Sequence, residues 1–497
     1  MLATLFVNIG SGLIQTRAYS YARPVLHKPN LRTQASAPPL RQVNTPFVDV
    51  ANIDLALGAV FWFGQVTPTT NYVDVRTAYN RTALSLQVNV FDRHVRIDDN
   101  SAHNSFAELT KWDTAVFYLE TAASAGGTPS ATTYRYVAQI NWANEQPKFH
   151  NSARGNGTGW AELGNTLPFT TTGVWRGNGP NAEAEDRGWW LNFQIPFKNF
   201  GLAEMPAAGT RWRLGVQLFD RDDAAGTPIA PQAWPDGFKS DAPNSWGQLT
   251  FGWPASAAAS MPTNAVTVTV RNDATTPVMD APVGGGSVCA DPYANDYFSG
   301  FGTANYAKAE FFNIQNQGDV ADWPCFSKFY ITFPLTSLTA GKSVISATLT
   351  AIQFGNSGQG GPPEPDPDWG LVHVLTVAED WQDSTLNWNN APLALENISR
   401  SWVSPVKPPP PVPSVPITWD VSKAVDAAYR SGQPLRLVLY SADGARNSGK
   451  YFWTGHMNDV TQRPTLKVIL GTAVPAATPT PLPASLNKHT YLPVSLQ

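Results

Sequence analysis

The chain has 497 residues, which is too long for one hydrophobic core, so we expect at least two domains. Charged residues make up 14% of it, against roughly a quarter in an ordinary globular domain, and the net charge of -4 is small. No basic face indicates nucleic acid as a partner. The 38 glycines and 42 prolines separate short apolar runs, a pattern typical of strands and turns rather than helices.

The first half of the chain contains runs in which polar and apolar residues alternate, the period of a half-buried strand. Glycine, proline and asparagine separate these runs, as in the loops of a β-sandwich. The predicted strands are Val73–Tyr79, Ala83–Phe91, Thr114–Leu119, Tyr134–Ile140, Trp189–Ile195, Trp212–Phe219 and Gly247–Phe251.

The second half is also rich in strand patterns, and its one good helix is predicted over Val421–Ser431, where Asp420 can cap the start and Gly432 ends it. We therefore predict an all-β protein of two consecutive β-sandwich domains, of jelly-roll or immunoglobulin-like type. The predicted divisions are a degenerate export signal with a flexible lead-in (1–45), a first sandwich (46–253), an Ala/Ser/Pro-rich linker (254–264), a second sandwich (265–471) and a Pro/Thr-rich tail (472–497).

Four segments of the first half carry a family resemblance: Ala83–Asp92, Trp112–Glu120, Trp189–Pro196 and Trp246–Phe251. Together they resemble family 9 carbohydrate-binding modules and their DOMON-like relatives. That resemblance implies a sugar-binding β-sandwich. The chain departs from the pattern at Val116 and Asn192, where those families often carry Glu, so their calcium or sugar contacts do not carry over to these two positions.

A second resemblance is centred on Glu379–Pro392, which holds two tryptophans, three acids and three asparagines. Within it, Ser384–Trp388 alternates and predicts a short strand, and Asn389–Pro392 predicts a turn. With Lys328–Leu335, Thr418–Ser422 and Arg463–Val468, this stretch resembles the DNRLRE domains of secreted bacterial proteins. The resemblance implies an extracellular structural module in which Trp388 and Trp419 pack rather than bind.

The two cysteines, Cys289 and Cys325, both lie in the second half. In an exported protein they predict one disulfide, which would contribute roughly 4 kcal/mol by restricting the unfolded chain. The alternative is two unrelated thiols. Without a nearby histidine pair they do not predict a zinc site.

Aromatic residues in polar, glycine-rich loops are candidate platforms for a sugar ring. Burying one ring face of about 100 Å² contributes roughly 2–3 kcal/mol, whereas millimolar binding requires about 4 kcal/mol. One tryptophan is therefore insufficient without a second platform or hydrogen bonds. The alternative for each residue is a structural role, in which the side chain packs at the end of the sandwich and closes its core. The candidate residues are Trp142, Trp160, Trp175, Arg176 and Trp234.

Two acidic loops are candidate sites for structural calcium, which prefers carboxylate and carbonyl oxygens. One offers Asp220, Asp222 and Asp223 in a single turn, and the other offers Asp92 and Asp98. Neither has the spacing of an EF-hand. The alternative for both loops is that they are solvated turns that bind no ion.

Composition, patterns and resemblances together predict a secreted or cell-surface, non-catalytic protein. Its first sandwich would bind polysaccharide or cell-wall glycan, and its second would serve as a structural surface module. Two alternatives remain open: a structural or adhesion protein without a sugar site, and a component of a glycoside hydrolase system. The acidic loops keep the latter open, because glycosidases need two carboxyl groups flanking one bond. No nucleic acid partner and no transmembrane helix are expected, and the sequence names neither the glycan nor the oligomeric state.

Overall fold

A computed structural model describes residues 38–100, 102–122, 125–140, 149–223, 225, 228–254, 264–284, 297–317, 325–358, 367–406, 412–444 and 447–472. Strands dominate these residues, which confirms the all-β prediction. From Pro39 onwards the chain forms one compact unit. Among the described helices the longest has ten residues, and none has the length and hydropathy needed to span a membrane.

The strands of the first half include all seven that the alternating patterns predict, each within a few residues of the predicted ends. Their bounds are β1 Gln42–Thr45, β2 Ala59–Thr67, β3 Thr70–Tyr79, β4 Ala83–Phe91, β5 Thr114–Glu120, β6 Thr133–Ala138, β7 His150–Gly155, β8 Trp160–Gly164, β9 Thr170–Arg176, β10 Gly188–Pro196, β11 Arg211–Asp220, β12 Ile229–Trp234 and β13 Gly247–Phe251. A short α-helix, α1, spans Phe106–Leu109.

Two sheets form the first sandwich. One has the order β2-β3-β4-β10-β9 and is antiparallel. The other runs β8-β7-β6-β5-β11, and β11 then pairs with β12 and β13. Inward-facing residues of both sheets, such as Val75, Leu86, Phe117 and Leu214, form the core between them. Because side chains alternate along a strand, the opposite face of β2–β4 is free to pack elsewhere.

The first strand, β1, lies inside the segment that the sequence predicts as a flexible lead-in. It pairs in parallel with β13, and Gln42 also pairs with Glu396 of the second half. Val43 enters the first core, and Asn44 exchanges hydrogen bonds with Asn397. The first sandwich therefore includes residues that lie before the predicted domain boundary at residue 46.

The second half forms another pair of sheets. Its strands are β14 Val266–Arg271, β15 Met279–Val283, β16 Phe311–Gln317, β17 Cys325–Phe333, β18 Ser343–Asn356, β19 Gly370–Val377, β20 Ala394–Val403, β21 Val415–Asp420, β22 Leu435–Ser441, β23 Lys450–Trp453 and β24 Thr465–Gly471. Its α-helices are α2 Tyr297–Gly300 and α3 Ser422–Ser431. Short 3-10 helices of the chain span Leu55–Leu57, Phe197–Phe200, Pro243–Ser245, Phe301–Thr303 and Val460–Gln462.

One sheet of the second sandwich has the order β15-β17-β22-β19-β20, and the other is built around β18, which pairs with β21, β23 and β24. Phe329, Leu437 and Trp419 are among the residues buried between them. Helix α3 closes the core with Ala424 and Val425. As predicted, Gly432 ends the helix in the left-handed conformation. Asp420 is not the N-cap residue as predicted: the N-cap is Val421, and the Asp420 carboxylate accepts the Ser422 N–H at 2.9 Å from one residue further out.

A third core joins the two sandwiches. The outward face of β2–β4 contributes Trp62 and Tyr72, and the outward face of β15, β17 and β22 contributes Tyr330 and Tyr440. Among the described residues the sheets therefore stack in four layers with an apolar core between each adjacent pair, and two smaller apolar clusters lie elsewhere. Lys328 is enclosed in this middle core, its Nζ 3.9 Å from the ring centres of both Trp62 and Trp388, and burial holds its pKa well below the ordinary value.

Candidate functional site at the junction of the sandwiches

The segment 379–392 lies against the first sandwich as a series of turns rather than as a strand. The strand predicted over Ser384–Trp388 is wrong, because side chains satisfy the backbone locally. The Asn390 amide accepts the Asn387 N–H and donates to the Thr385 carbonyl. Leu386 and Trp388 still point into the shared core, so the alternating pattern reflects burial without strand pairing.

Asn389 attaches this segment to β2. Its side-chain amide donates to the Val66 carbonyl at 3.0 Å and accepts the Val66 N–H at 2.8 Å, and its own carbonyl accepts from the Gln65 side chain. The backbone of Val66 is thus paired as it would be by a neighbouring strand. Gly302 packs so closely on Asn389 that a Cβ there would come within 2.2 Å of the amide.

Arg41 forms a second attachment. Its side chain is 3% exposed and donates to Asp236 of the first half, with Nε–Oδ2 2.8 Å, and to Glu379 of the second, with Nη2–Oε1 2.6 Å. It also donates to the carbonyls of Leu393 and Ala394. Such charge-assisted bonds from one planar guanidinium fix the two carboxylates relative to each other.

These attachments border an open cavity of about 510 Å³, which we call the junction cleft. Binding pockets for small molecules commonly have volumes of about 300–1,000 Å³. Both sandwiches contribute to its walls. The lining residues are Arg41, Trp62, Phe63, Gly64, Gln65, Gln232, Ala233, Asp236, Glu379, Trp388, Asn389, Asn390, Ala391, Pro392 and Leu393.

Three buried polar atoms of the lining find no hydrogen-bond partner within the described part of the chain. They are Gln232 Oε1, Glu379 Oε2 and Trp388 Nε1. Leaving a buried polar group unsatisfied costs about 1–3 kcal/mol, so a partner from solvent or ligand is favoured. Two acceptors and one donor of this kind match the mixed donor and acceptor character of a hydroxyl group.

The aromatic walls of the cleft are largely covered. Trp62 is 2% exposed and Trp388 is 3% exposed. The two rings form the floor of the cleft and enclose the Lys328 side chain, so neither offers a free face for stacking. Polar contacts would therefore dominate binding in the junction cleft, with Gln65 and Asn390 exposed at its rim.

The structure places the five sequence-predicted sugar-binding residues in different surroundings. Trp142 lies outside the described residues. Trp160 is half-buried and parallel to Trp246, with ring centres 6.5 Å apart, and Arg135 lies over its ring. Trp175 is half-buried and packs on the first core, while the neighbouring Arg176 donates to the Val90 carbonyl. Trp234 is 1% exposed and packs on Phe61, so its ring faces are covered. A binding role for these residues stays a prediction.

The structure brings three of the five predicted calcium ligands into one group. Asp92, Asp220 and Asp222, taken from two separate acidic loops, each place a carboxylate oxygen within 4.8 Å of the others. Asp98 instead binds His103 and caps its own turn, and Asp223 is exposed. The sequence prediction did not include Asp113, the residue before β5, whose buried carboxyl interacts electrostatically with Asp92 and Asp220.

The predicted disulfide cannot be placed, because Cys289 lies outside the described residues; Cys325 begins β17. The sequence prediction also missed Arg41 and Gln232. Their partners and neighbours in the cleft lie far along the chain, and no local pattern distinguishes these residues.

Comparisons with known proteins give distant structural likenesses. No protein-family model matches, and no curated protein matches. A protein from Bacteroides uniformis to which carbohydrate binding has been ascribed shares 13% identity at a TM-score of 0.33, over 43% of this chain and 99% of its own. A family 9 carbohydrate-binding module from Caldicellulosiruptor kristjanssonii, solved with cellotriose, shares 16% identity at a TM-score of 0.29, over 46% of this chain and 98% of its own.

A family 9 carbohydrate-binding module from the same organism, solved with glucose, shares 17% identity at a TM-score of 0.29, over 43% of this chain and 96% of its own. Family 9 modules are thus among the structural neighbours of this chain. At these TM-scores the likeness transfers no ligand and no site residue. The resemblances to DOMON-like and DNRLRE domains stay predictions.

Proposed function

We propose that this protein is a secreted or cell-surface, non-catalytic glycan-binding protein and that the junction cleft holds the sugar. One observation carries the proposal: three residues that line one open cleft built by both sandwiches, Gln232, Glu379 and Trp388, each carry a buried side-chain polar atom without a partner among the described residues. Sugar hydroxyls donate and accept hydrogen bonds, as these atoms require. The sequence resemblance to family 9 modules supports the same class of ligand.

The strength of such a site follows from its contacts. A neutral hydrogen bond contributes about 0.5–1.5 kcal/mol and one to a charged group about 1.5–3 kcal/mol. Binding in the millimolar range requires about 4 kcal/mol. Hydrogen bonds to Gln232 and Trp388 together with one to Glu379 reach this range without an exposed aromatic platform.

The test is retention of the full chain in gels containing each of a panel of polysaccharides, followed by titration with an oligosaccharide of the retained polymer. We expect Gln232→Ala to weaken binding about three- to tenfold, the equivalent of one neutral hydrogen bond. Because Gln232 Oε1 has no partner among the described residues, we expect the fold to be unaffected. The matched control is Gln433→Ala, a change to an exposed glutamine after helix α3.

Two results would contradict parts of the proposal. Retention that Trp160→Ala or Trp175→Ala abolishes, with Gln232→Ala unaffected, would keep glycan binding but move the site to the loops of the first sandwich. No retention on any polymer, with calcium present, would leave the structural or adhesion role as the better account.

A hydrolytic role is the second candidate, favoured by one observation. Asp236 and Glu379 both bind Nη2 of Arg41, so these two carboxylate oxygens are no more than about 5 Å apart. Retaining glycosidases separate their carboxyl groups by about 5–5.5 Å. The same polymers should be assayed for new reducing ends. Non-catalytic binding predicts none, whereas release that Glu379→Gln abolishes would establish hydrolysis.

A further inference from the structure

An acidic pocket lies at one end of the first sandwich, formed by residues that no cleft contact uses. Asp92 follows β4, Asp220 ends β11 and Asp222 lies in the turn beyond it. Since β4 and β11 belong to opposite sheets, the pocket brings together the ends of both layers. One carboxylate oxygen from each residue lies within 4.8 Å of the others.

The negative charges of the pocket are concentrated and poorly hydrated. Asp92 and Asp113 are fully buried and Asp220 is 5% exposed. Ionised carboxylates at this spacing repel one another unless a cation lies between them.

Hydrogen bonding distinguishes Asp220 from its neighbours. Asp92 accepts the His94 N–H and the Trp189 indole N–H, and Asp113 accepts the backbone N–H groups of Arg96 and Arg221. Neither carboxylate oxygen of Asp220 has a hydrogen-bond partner of normal geometry among the described residues. The Asn71 amide, the Arg221 N–H and the Asp113 carboxyl lie close to Asp220, but not in that geometry.

Arginine side chains near the pocket have other carboxylate partners. Arg93 donates to Glu185, and Arg96 lies 3.5 Å from Glu183 while its Nε approaches the Asp222 carbonyl. These two arginines carry positive charge at the rim, and no described hydrogen bond joins either side chain to Asp220.

We propose that Asp92, Asp220 and Asp222 bind one divalent cation of the calcium type. Two oxygen ligands on opposite sides of Ca²⁺, each at about 2.4 Å, are about 4.8 Å apart, and the carboxylate oxygens of the pocket meet that limit. Magnesium demands near-ideal octahedral geometry and usually keeps several waters with one or two carboxylate ligands, so three carboxylates from two separate loops suit calcium better. The cation connects the end of β4 to the end of β11 and so ties the two sheets of the first sandwich together.

The experiment uses the full chain, freed of metal with a chelator and titrated calorimetrically with CaCl₂ and, separately, MgCl₂. Thermal unfolding is followed in parallel. The wild type should bind one Ca²⁺ per chain more tightly than Mg²⁺, with an upward shift of the melting temperature. Asp220→Asn should abolish the binding and the shift, and should itself melt higher than the wild type in chelator, because a buried charge is removed.

Asp223→Asn is the matched control: an exposed aspartate one residue from the pocket, for which wild-type binding is expected. The Asp222→Asn variant changes a half-buried residue at the rim of the pocket, and we expect it to bind Ca²⁺ at least tenfold more weakly than the wild type. If Asp220→Asn fails to fold, the affinity of Asp222→Asn for Ca²⁺ tests the proposed site. Absence of calcium binding by the wild type, or unchanged affinity in the Asp222→Asn and Asp220→Asn variants, would overturn the proposal. Tighter binding of Mg²⁺ would overturn its calcium character.

Discussion

At the scale of single residues, Asp280 on β15 is a buried acid with a defined role in stability. It is 2% exposed, and its carboxylate accepts the Gly455 N–H at 2.6 Å, with His456 3.8 Å away. Burial raises its pKa to about 7, and the charge of Asp383 contributes in the same direction. The folded chain therefore holds a proton that the unfolded chain releases near pH 4.

The sign of the pH effect follows from proton counts. Between about pH 4 and pH 7 the folded state binds more protons at Asp280, so its contribution to stability falls as the pH rises and is lost above pH 7. Asp280→Asn removes this dependence. We expect the free energy of unfolding of the variant, relative to the wild type, to rise by up to about 4 kcal/mol between pH 4 and pH 8.

Urea unfolding at several pH values measures this difference. Asp241→Asn, at an exposed position, serves as the control and should show a constant offset. A constant offset for Asp280→Asn as well would mean that the carboxylate is ionised throughout and hydrated more than its burial indicates.

At the scale of elements, the segment 379–392 shows how turns can replace a strand at a sheet edge. The amide of Asn389 pairs both backbone groups of Val66, next to the irregular pairing between Gly64 and Thr67. The alternation of polar and apolar residues at Ser384–Trp388 correctly predicted which side chains are buried. It wrongly predicted strand pairing, because asparagine side chains, and not a neighbouring strand, bind the backbone there. The same alternation along β3 and β4 correctly predicted side-chain burial and strand pairing, because each of these strands has a neighbouring strand on both sides.

Asn389→Ala should destabilise the protein by about 1–3 kcal/mol, since it leaves the buried Val66 N–H and carbonyl without partners. Asn390→Ala is the comparison, because the side chain of this exposed residue bonds only within its own segment. Equal losses in the two variants, measured by urea unfolding, would show that the local turns matter and the attachment to β2 does not.

At the scale of the whole molecule, the two sandwiches are held by a shared core and by polar attachments at Arg41, Asn44 and Asn389. Chain length predicted at least two domains, and the strand patterns predicted that they are β-sandwiches. The junction was not predictable, because Arg41 reaches Glu379 across 338 positions and Asn44 reaches Asn397 across 353. Local periodicity carries no information about such pairings.

A shared core has a consequence for truncation. The fragment 39–254 exposes Val60, Trp62, Tyr72 and Phe91, which the second sandwich covers in the full chain. Apolar surface of this kind costs roughly 25 cal/mol per Å² when it is left in water. We expect the fragment to aggregate or to unfold without a cooperative transition, and to lose the junction cleft. A soluble fragment with a sharp melting transition would show that the first sandwich folds independently.

The central claim is that a glycan occupies the junction cleft, and a crystal structure of the full chain with an oligosaccharide of the retained polymer tests it most directly. The account predicts a sugar residue whose hydroxyls lie within hydrogen-bond distance of Gln232 Oε1 and Glu379 Oε2, between segment 379–392 and β2. A sugar bound instead at the loops around Trp160 or Trp175, with the cleft filled only by water, would contradict it.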